Sequence, residues 1–311
     1  MKFTNQSMQE IIAALSCEIA LLKTGDVITF DVLDPDEGGV YAGEHITLEG
    51  KEYLYRGYKS WISLAELLKC KMLTPHSSDH PFITLHFEKL REDSFHASRQ
   101  EDKKEKYGTD SLFFNIRKME EPSFLYYYLQ ALDNAGIAEK KRILNLGINR
   151  GDEFEAIRNH LDINKYQNME FVGIDHSESA INHAKKELPE DNVHLFSEDI
   201  NVLESLNLGL FDLILSIGTL QSPDINFKPF LMDLVQKHLD KEQGALILGF
   251  PNCRWIGGEM IYGAKAPNYA MSELSLLFND VIFAKKYLQQ HKFRVTITGK
   301  EYIFLTATKI G

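Results

Sequence analysis

The chain has 311 residues, 44% of them hydrophobic and 25% charged, enough apolar material for a large core and too much for disorder as the main state. Its 34 basic and 45 acidic residues leave a formal charge of −11, a field that disfavours non-specific binding of nucleic acid. Cys17, Cys70 and Cys253 are widely spaced, with no CxxC pair and no His/Cys cluster, so neither a disulfide framework nor a metal site is expected.

The amino-terminal stretch predicts a small α+β unit. Residues 7–23 read as an amphipathic helix, with Met8, Ile11, Ile12, Leu15, Ile19 and Leu22 on one face and Ser7 as the cap. Glu10 and Glu18 interrupt the apolar residues there, so no signal peptide is expected. No run approaches the ~18 apolar residues of a membrane span. A soluble, cytoplasmic protein with no membrane partner follows as the expectation. Val27 to Leu33 predicts a strand, and Ile46 to Tyr55 a hairpin turning at Glu49-Gly50. A helix carrying Leu64, Leu67 and Leu68 and a strand from Phe82 to Phe87 complete the unit. His45, His76, His80 and His86 lack ligand spacing. The charge-rich stretch 91–106 reads as a linker or solvated helix, which sets domains of 1–105 and 106–311.

Beyond it the pattern changes. A helix starts at Ser123 and stops near Gly136; Tyr126, Tyr127 and Tyr128 lie within it as packing residues. Then strands and helices alternate. Arg142–Leu146, Phe171–Ile174, Val193–Phe196, Phe211–Ile217 and Ala245–Phe250 read as strands. Asp152–Leu161, a segment capped by Ser177 and ended by Pro189, and a segment opened by Pro229 read as helices. Such alternation predicts a parallel sheet with helices on both faces. The end departs from it. Phe293–Thr298 and Tyr302–Thr308 are joined only by Gly299-Lys300-Glu301, too short for a parallel crossover, so this pair must be antiparallel.

The chemistry-bearing segments sit at the ends of these strands. Ile143-Leu144-Asn145-Leu146-Gly147-Ile148-Asn149-Arg150-Gly151-Asp152 is a strand, a glycine-containing turn and a helix start. Glycine permits close approach to the backbone, and a helix amino terminus offers unpaired N–H groups. The spacing matches a dinucleotide fingerprint of G-x-G-x-x-G only at its first glycine. Val172-Gly173-Ile174-Asp175 ends the second strand in an acid, Phe196-Ser197-Glu198-Asp199-Ile200 follows the third, and Leu215-Ser216-Ile217-Gly218 ends the fourth. Asp175 read alone is also an ordinary helix cap.

Together with the terminal hairpin, these segments resemble the class I S-adenosylmethionine-dependent methyltransferases over residues 141–311. Two positions depart from that family's first motif: Asn145 stands where an acid is common, and Asn149 replaces the middle glycine. The resemblance implies a seven-stranded, mostly parallel sheet with an antiparallel carboxy-terminal strand. It implies S-adenosylmethionine as cofactor. Asn145, Gly147, Ile148, Asn149 and Gly151 would form the glycine turn of its site. Asp175 would accept the ribose hydroxyls, with His176 beside it. Glu198, Asp199 and Ile200 would meet the adenine, and Ser216, Ile217 and Gly218 the methionine part. No family is recognised in residues 1–105.

Acceptor chemistry is narrowed by what is missing. Gly218-Thr219-Leu220-Gln221-Ser222-Pro223 carries neither an Asn-Pro-Pro-Tyr nor an Asp-Pro-Pro-Tyr motif, and no cysteine. Cys253 lies after the fifth strand and reads as a small packed residue. The segment 251–270 leaves a strand's carboxyl end and is too long for a simple connection. Read as a loop over the acceptor, it offers Asn252, Arg254 and Lys265 for substrate binding, and Glu259 or Tyr262 to orient or deprotonate the acceptor. Read otherwise, it is a solvated loop. Tyr107, just before the second domain, is a candidate lid or a packed aromatic. The functional expectation is methyl transfer to a small molecule. RNA or a protein side chain, a non-catalytic cofactor-binding module, and a nicotinamide-dependent oxidoreductase are the alternatives. Lys285, Lys286, His291, Lys292, Arg294 and Lys300 are the basic cluster a nucleic-acid acceptor would need.

Overall fold

The computed structural model describes residues 1–91, 105, 107–263 and 274–310. The chain divides into two compact units, Met1–Ser94 with Trp255–Ile261, and Phe95–Arg254 with Tyr262–Gly311. This differs from a division at residue 105. Glu105 falls in the second unit, where its carboxylate is bound by Ser177.

The first unit contains β1 (Lys2–Phe3), α1 (Met8–Leu21), β2 (Val27–Leu33), β3 (His45–Leu48), β4 (Lys51–Leu54), α2 (Tyr58–Leu67), β5 (Cys70–Met72), β6 (His76–Ser77) and β7 (Phe82–Lys89). Ser7 and Glu10 close a capping box at the start of α1, which satisfies two orphan donors of the first turn. β1, β2, β7 and β5 run in that order, and β6 also pairs with β7. Ile11, Leu15 and Ile19 of α1 and Trp61, Leu64 and Ala65 of α2 bury against Phe30, Val32, Leu85 and Phe87. The strands of two and three residues are too short to leave a periodic signal in the sequence.

In the second unit follow α3 (Pro122–Asn134), β8 (Arg142–Leu146), α4 (Asp152–His160), α5 (Ile163–Gln167), β9 (Glu170–Asp175), α6 (Glu178–Glu187), β10 (Val193–Ser197), β11 (Leu213–Ile217), α7 (Phe227–Asp233) and β12 (Ala245–Pro251). A hairpin of β13 (Cys253–Ile256) and β14 (Glu259–Tyr262), then α8 (Leu274–Gln290), β15 (Phe293–Gly299) and β16 (Tyr302–Lys309), complete the chain. The sheet runs β10-β9-β8-β11-β12-β16-β15. β8 to β12 are parallel, and β16 lies antiparallel between β12 and β15. The sheet has the seven mostly parallel strands and the antiparallel carboxy-terminal strand that the sequence predicts. The central strands β8, β9, β11 and β12 are mostly apolar because both faces are covered, whereas the edge strands β10 and β15 carry exposed polar residues. Leu144, Leu146, Ile214, Leu246 and Phe250 pack with Leu231 of α7 and Val281 and Leu288 of α8. On the opposite face Phe171 meets Phe154 of α4 at 5.0 Å, and Phe304 meets Phe124 of α3 at 5.4 Å.

The chain winds outward from β8 to β10 and then returns to β11 on the other side of β8. That reversal makes a topological switch point at the carboxyl ends of β8 and β11, the usual ligand position in such sheets. Some boundaries differ from expectation. The fourth strand starts at Leu213, and the Asp212 carboxylate just before it accepts the N–H groups of Lys141 and Arg142. The helix around Pro229 begins at Phe227, with Pro229 inside its first turn. The expected loop after β12 is in part the β13–β14 hairpin, and Ile256 and Ile261 of its tip cluster with Leu90 in the first unit.

Candidate functional site

Gly147 and Gly151 hold positive φ angles of 78° and 95°, and Asn149 sits between them at 46°. The chain therefore makes a tight left-handed turn from β8 into α4, which two glycines and an asparagine tolerate. The N–H groups of Gly147 and Ile148 both donate to the Ile174 carbonyl, at 2.8 and 3.1 Å, and tie the turn to β9. Ile148 is fully buried. The reason for glycine differs in part from the expected one. A Cβ on Gly147 would lie 2.7 Å from Thr219 Cγ2, and one on Gly151 2.7 Å from Leu188 Cδ1. The Thr219 and Leu188 side chains occupy those two places.

Asp175 ends β9 and is 5% exposed. Its Oδ2 accepts the N–H of Asn149 at 2.9 Å, and its Oδ1 accepts the N–H of Ser177 at 3.0 Å. Burial raises its pKa, against the pull of the Ser177 N–H, His176 and the Asn149 N–H. Each oxygen has a second lone pair beyond those bonds, so the carboxylate can still accept two hydroxyls. His176 Nδ1 stands 3.5 Å from Asp175 Oδ1.

Asn145 supplies the clearest sign of an unmet partner. It is 1% exposed, and neither its Oδ1 nor its Nδ2 has a hydrogen-bond partner. A buried amide left unpaired costs about 1–3 kcal/mol, so such groups are normally completed by water or a ligand. It faces the same side of the sheet as its register partners Gly173 and Leu215.

The remaining candidates separate. Ser216 is buried, and its hydroxyl donates to the Leu146 carbonyl at 3.4 Å. Ile217 is buried, and Gly218 turns with φ 76° while its N–H donates to Gly249. Glu198 is exposed and uses its N–H on the Asp175 carbonyl. Asp199 is exposed and caps a short 3-10 helix, its Oδ1 accepting from the N–H and the side chain of Asn201. Ile200 points into the core beneath. Asn252 is 3% exposed; its Nδ2 donates to the Lys300 carbonyl at 3.1 Å, and its Oδ1 has no partner.

Arg254 lies half-buried on β13, and Tyr262 is exposed on β14. Glu259 meets Lys71 Nζ at 2.8 Å within the first unit, a pairing that raises the Lys71 pKa. Lys265 lies outside the described residues. Cys253 is buried, and burial with Glu301 nearby pushes its thiol up to about 12, the state of an inert packed cysteine.

Sequence reasoning missed Glu105 and left Tyr107 open. The Glu105 carboxylate binds the amino terminus of α6, accepting from the Ser177 hydroxyl at 3.0 Å, the Glu178 N–H at 3.0 Å, and the Ser179 hydroxyl. Burial pushes its pKa up, but the Ser179 and Ser177 hydrogen bonds together hold it below the usual value. The Tyr107 carbonyl accepts the Asn149 side-chain amide at 2.8 Å. The Tyr107 ring lies edge-on to Phe113 and His176, at 5.0 and 6.1 Å. Burial, Asp224 and Asp175 raise the pKa of its hydroxyl. No local sequence pattern marks these pairings, since their partners stand far apart in the chain.

No protein-family model matches the chain, and no curated protein matches it. Among solved structures, it is similar to the plantazolicin methyltransferase BpumL in complex with SAH, at 17% identity and a TM-score of 0.42 over 67% of this chain and 94% of that one. A SAM-dependent methyltransferase from Aquifex aeolicus gives 17% and 0.41 over 59% of this chain and 89% of that one. Precorrin-6y C5,15-methyltransferase from Geobacter metallireducens GS-15 gives 12% and 0.41 over 60% and 88%. These are likenesses of fold.

Proposed function

We propose that the chain is an S-adenosylmethionine-dependent methyltransferase whose acceptor is a small molecule. The observation that carries this reading is Asn145, a buried amide with both polar atoms unpaired, beside the glycine turn of a parallel sheet's switch point. It offers one donor and one acceptor to a zwitterionic group such as the amino-acid end of the cofactor. Asp175 supports it, because a fixed, buried carboxylate with free lone pairs suits a ribose diol. Of the acids after β10, Asp199 keeps one oxygen free of the Asn201 bonds and is the adenine candidate. Ser216, Ile217 and Gly218, at the carboxyl end of β11, would meet the methionine part.

The sulfonium of the bound cofactor supplies the activated methyl group. The residues of this chain bind and align it. Asn149 and Ser177 hold Asp175 in place through their N–H groups, so the sugar would meet a carboxylate that needs no reorganisation. The low exposure around Asn145, Ile148 and Ile217 excludes water from the turn. Asn252 and Arg254 are the substrate-binding candidates among the described residues, and Tyr262 the exposed group for orienting an acceptor.

Calorimetry with S-adenosylhomocysteine and NAD in parallel tests the reading. Binding of S-adenosylhomocysteine alone is expected. Binding of NAD in its place, or of neither, removes it. Radiolabelled cofactor incubated with cell extract then identifies the acceptor fraction, and a small-molecule fraction is expected to carry the label.

A further inference from the structure

A cavity of about 300 Å³ lies between α3 and α4. Leu125 and Leu129, one turn apart on α3, line it together with Met119 and with Ala156 of α4. Asp152, the first residue of α4, lines it too, and so does Asn159, about 10 Å further along the same helix. None of these residues belongs to the proposed cofactor site. The cavity thus has an apolar body and a buried acid.

That acid is incompletely satisfied. Asp152 is 7% exposed. Arg150 Nε stands 3.1 Å and Arg117 Nη1 3.6 Å from the same oxygen, Oδ1. Among the described residues these are ion pairs only, and the carboxylate accepts no hydrogen bond. Its neighbour Glu153, by contrast, accepts one from Lys118. A buried carboxylate has room for several N–H or O–H donors and normally takes them. The charge around it has the same sign. Glu120 and Glu155 also line the cavity; the lining bases are Arg117 and His160, and His160 is engaged by Asp133 at 2.7 Å.

We propose that this cavity is a binding site for a small organic cation, an ammonium group on an apolar body. The ammonium N–H groups complete the Asp152 carboxylate, and the body covers Leu125 and Leu129. An anion would meet Asp152, Glu120 and Glu155. A wholly apolar guest would leave Asp152 without a donor.

Calorimetry on the full chain without cofactor tests this with n-hexylamine, n-hexanol and n-hexanoate, which share one body and differ in head group. Hexylamine should bind at least about tenfold tighter than hexanol, and hexanoate should not bind. Equal binding of all three, or binding of none, overturns the site. The charged groups that face Asp152 are Glu153, Arg150, Lys118 and Arg117, and burial raises its carboxyl to about 6. An alkylammonium keeps its charge from pH 5.0 to pH 7.5, so hexylamine affinity should fall about tenfold from the upper to the lower pH as the carboxylate takes up a proton. Asp152→Asn keeps the shape and should erase both the preference for the amine and its pH slope. A slope that persists in that variant belongs to another group, such as His160, and overturns the assignment. Leu129→Trp should fill the cavity and remove hexylamine binding; unchanged binding there places the amine elsewhere. Displacement of hexylamine by S-adenosylhomocysteine would put it in the cofactor site and overturns a separate one.

Discussion

Asp175 and Asn149 meet across two strand ends: the carboxylate Oδ2 accepts the asparagine N–H at 2.9 Å, so the acid after β9 also pins the turn after β8. One side chain thereby serves both the local backbone and the proposed ligand. Asp175→Asn turns an acceptor into a group that is half donor and faces two N–H groups. It should lower affinity for S-adenosylhomocysteine by about 30-fold, the size of one lost charged hydrogen bond near 2 kcal/mol. Calorimetry measures it; an affinity within threefold of the unaltered chain removes Asp175 from the site.

Asn145 makes an opposed pair of predictions. Asn145→Leu replaces an unpaired buried amide by an apolar group of similar size. The ligand-free protein should gain about 1–2 kcal/mol, visible as a higher Tm, because the desolvation penalty is gone. Binding of S-adenosylhomocysteine should weaken at least about tenfold, as expected for one lost polar contact. A lower Tm with intact binding would mean that the amide is satisfied within the fold.

Asp152 sets a pH dependence. It is 7% exposed, and burial together with Glu153 raises its carboxyl to about 6, against Arg150, Lys118 and Arg117. A raised carboxyl makes the native state hold a proton that the unfolded chain gives up near pH 4. Stability from this group is therefore full below about pH 4 and is lost as pH rises through about 6, by roughly 2–3 kcal/mol. Asp152→Asn should be stabilising at pH 8 relative to pH 5. Chemical denaturation at the two pH values checks it; an equal effect at both contradicts the assignment.

The three thiols should react unequally. Cys17 is exposed, whereas Cys70 and Cys253 are buried and pushed up to about 11 and about 12, both chiefly by burial. At pH 8 in the folded protein, iodoacetamide should modify Cys17 and spare the other two, since the thiolate is the reactive form. Mass spectrometry after a short exposure reads this. Rapid modification of Cys253 would reopen a nucleophilic role.

Glu259 is decided by its partner. Its side chain is 39% exposed and pairs with Lys71, an ion pair worth at most about 1 kcal/mol. Glu259→Gln should leave Tm, S-adenosylhomocysteine affinity and methyl labelling of extract nearly unchanged. Loss of labelling at unchanged affinity would return Glu259 to the chemistry as a base.

The sequence alone determined the alternation of strands and helices, the glycine turn, the acid closing β9 and the antiparallel end. Each is a local pattern: continuous apolar runs, positive-φ residues, or a three-residue connection that forbids a crossover. It also placed Asn145 and Asn149 as departures, without saying what they do. Tertiary structure decided that the Thr219 and Leu188 side chains stand where a Cβ on Gly147 and Gly151 would go. It decided that the tip of the segment after β12 is a hairpin clustered with Leu90. It brought Glu105 to Ser177 and Tyr107 to Asn149, pairs separated by 72 and 42 positions. Periodicity reports which face of an element is buried; it carries no record of which distant donor will meet which acceptor once the sheet has closed.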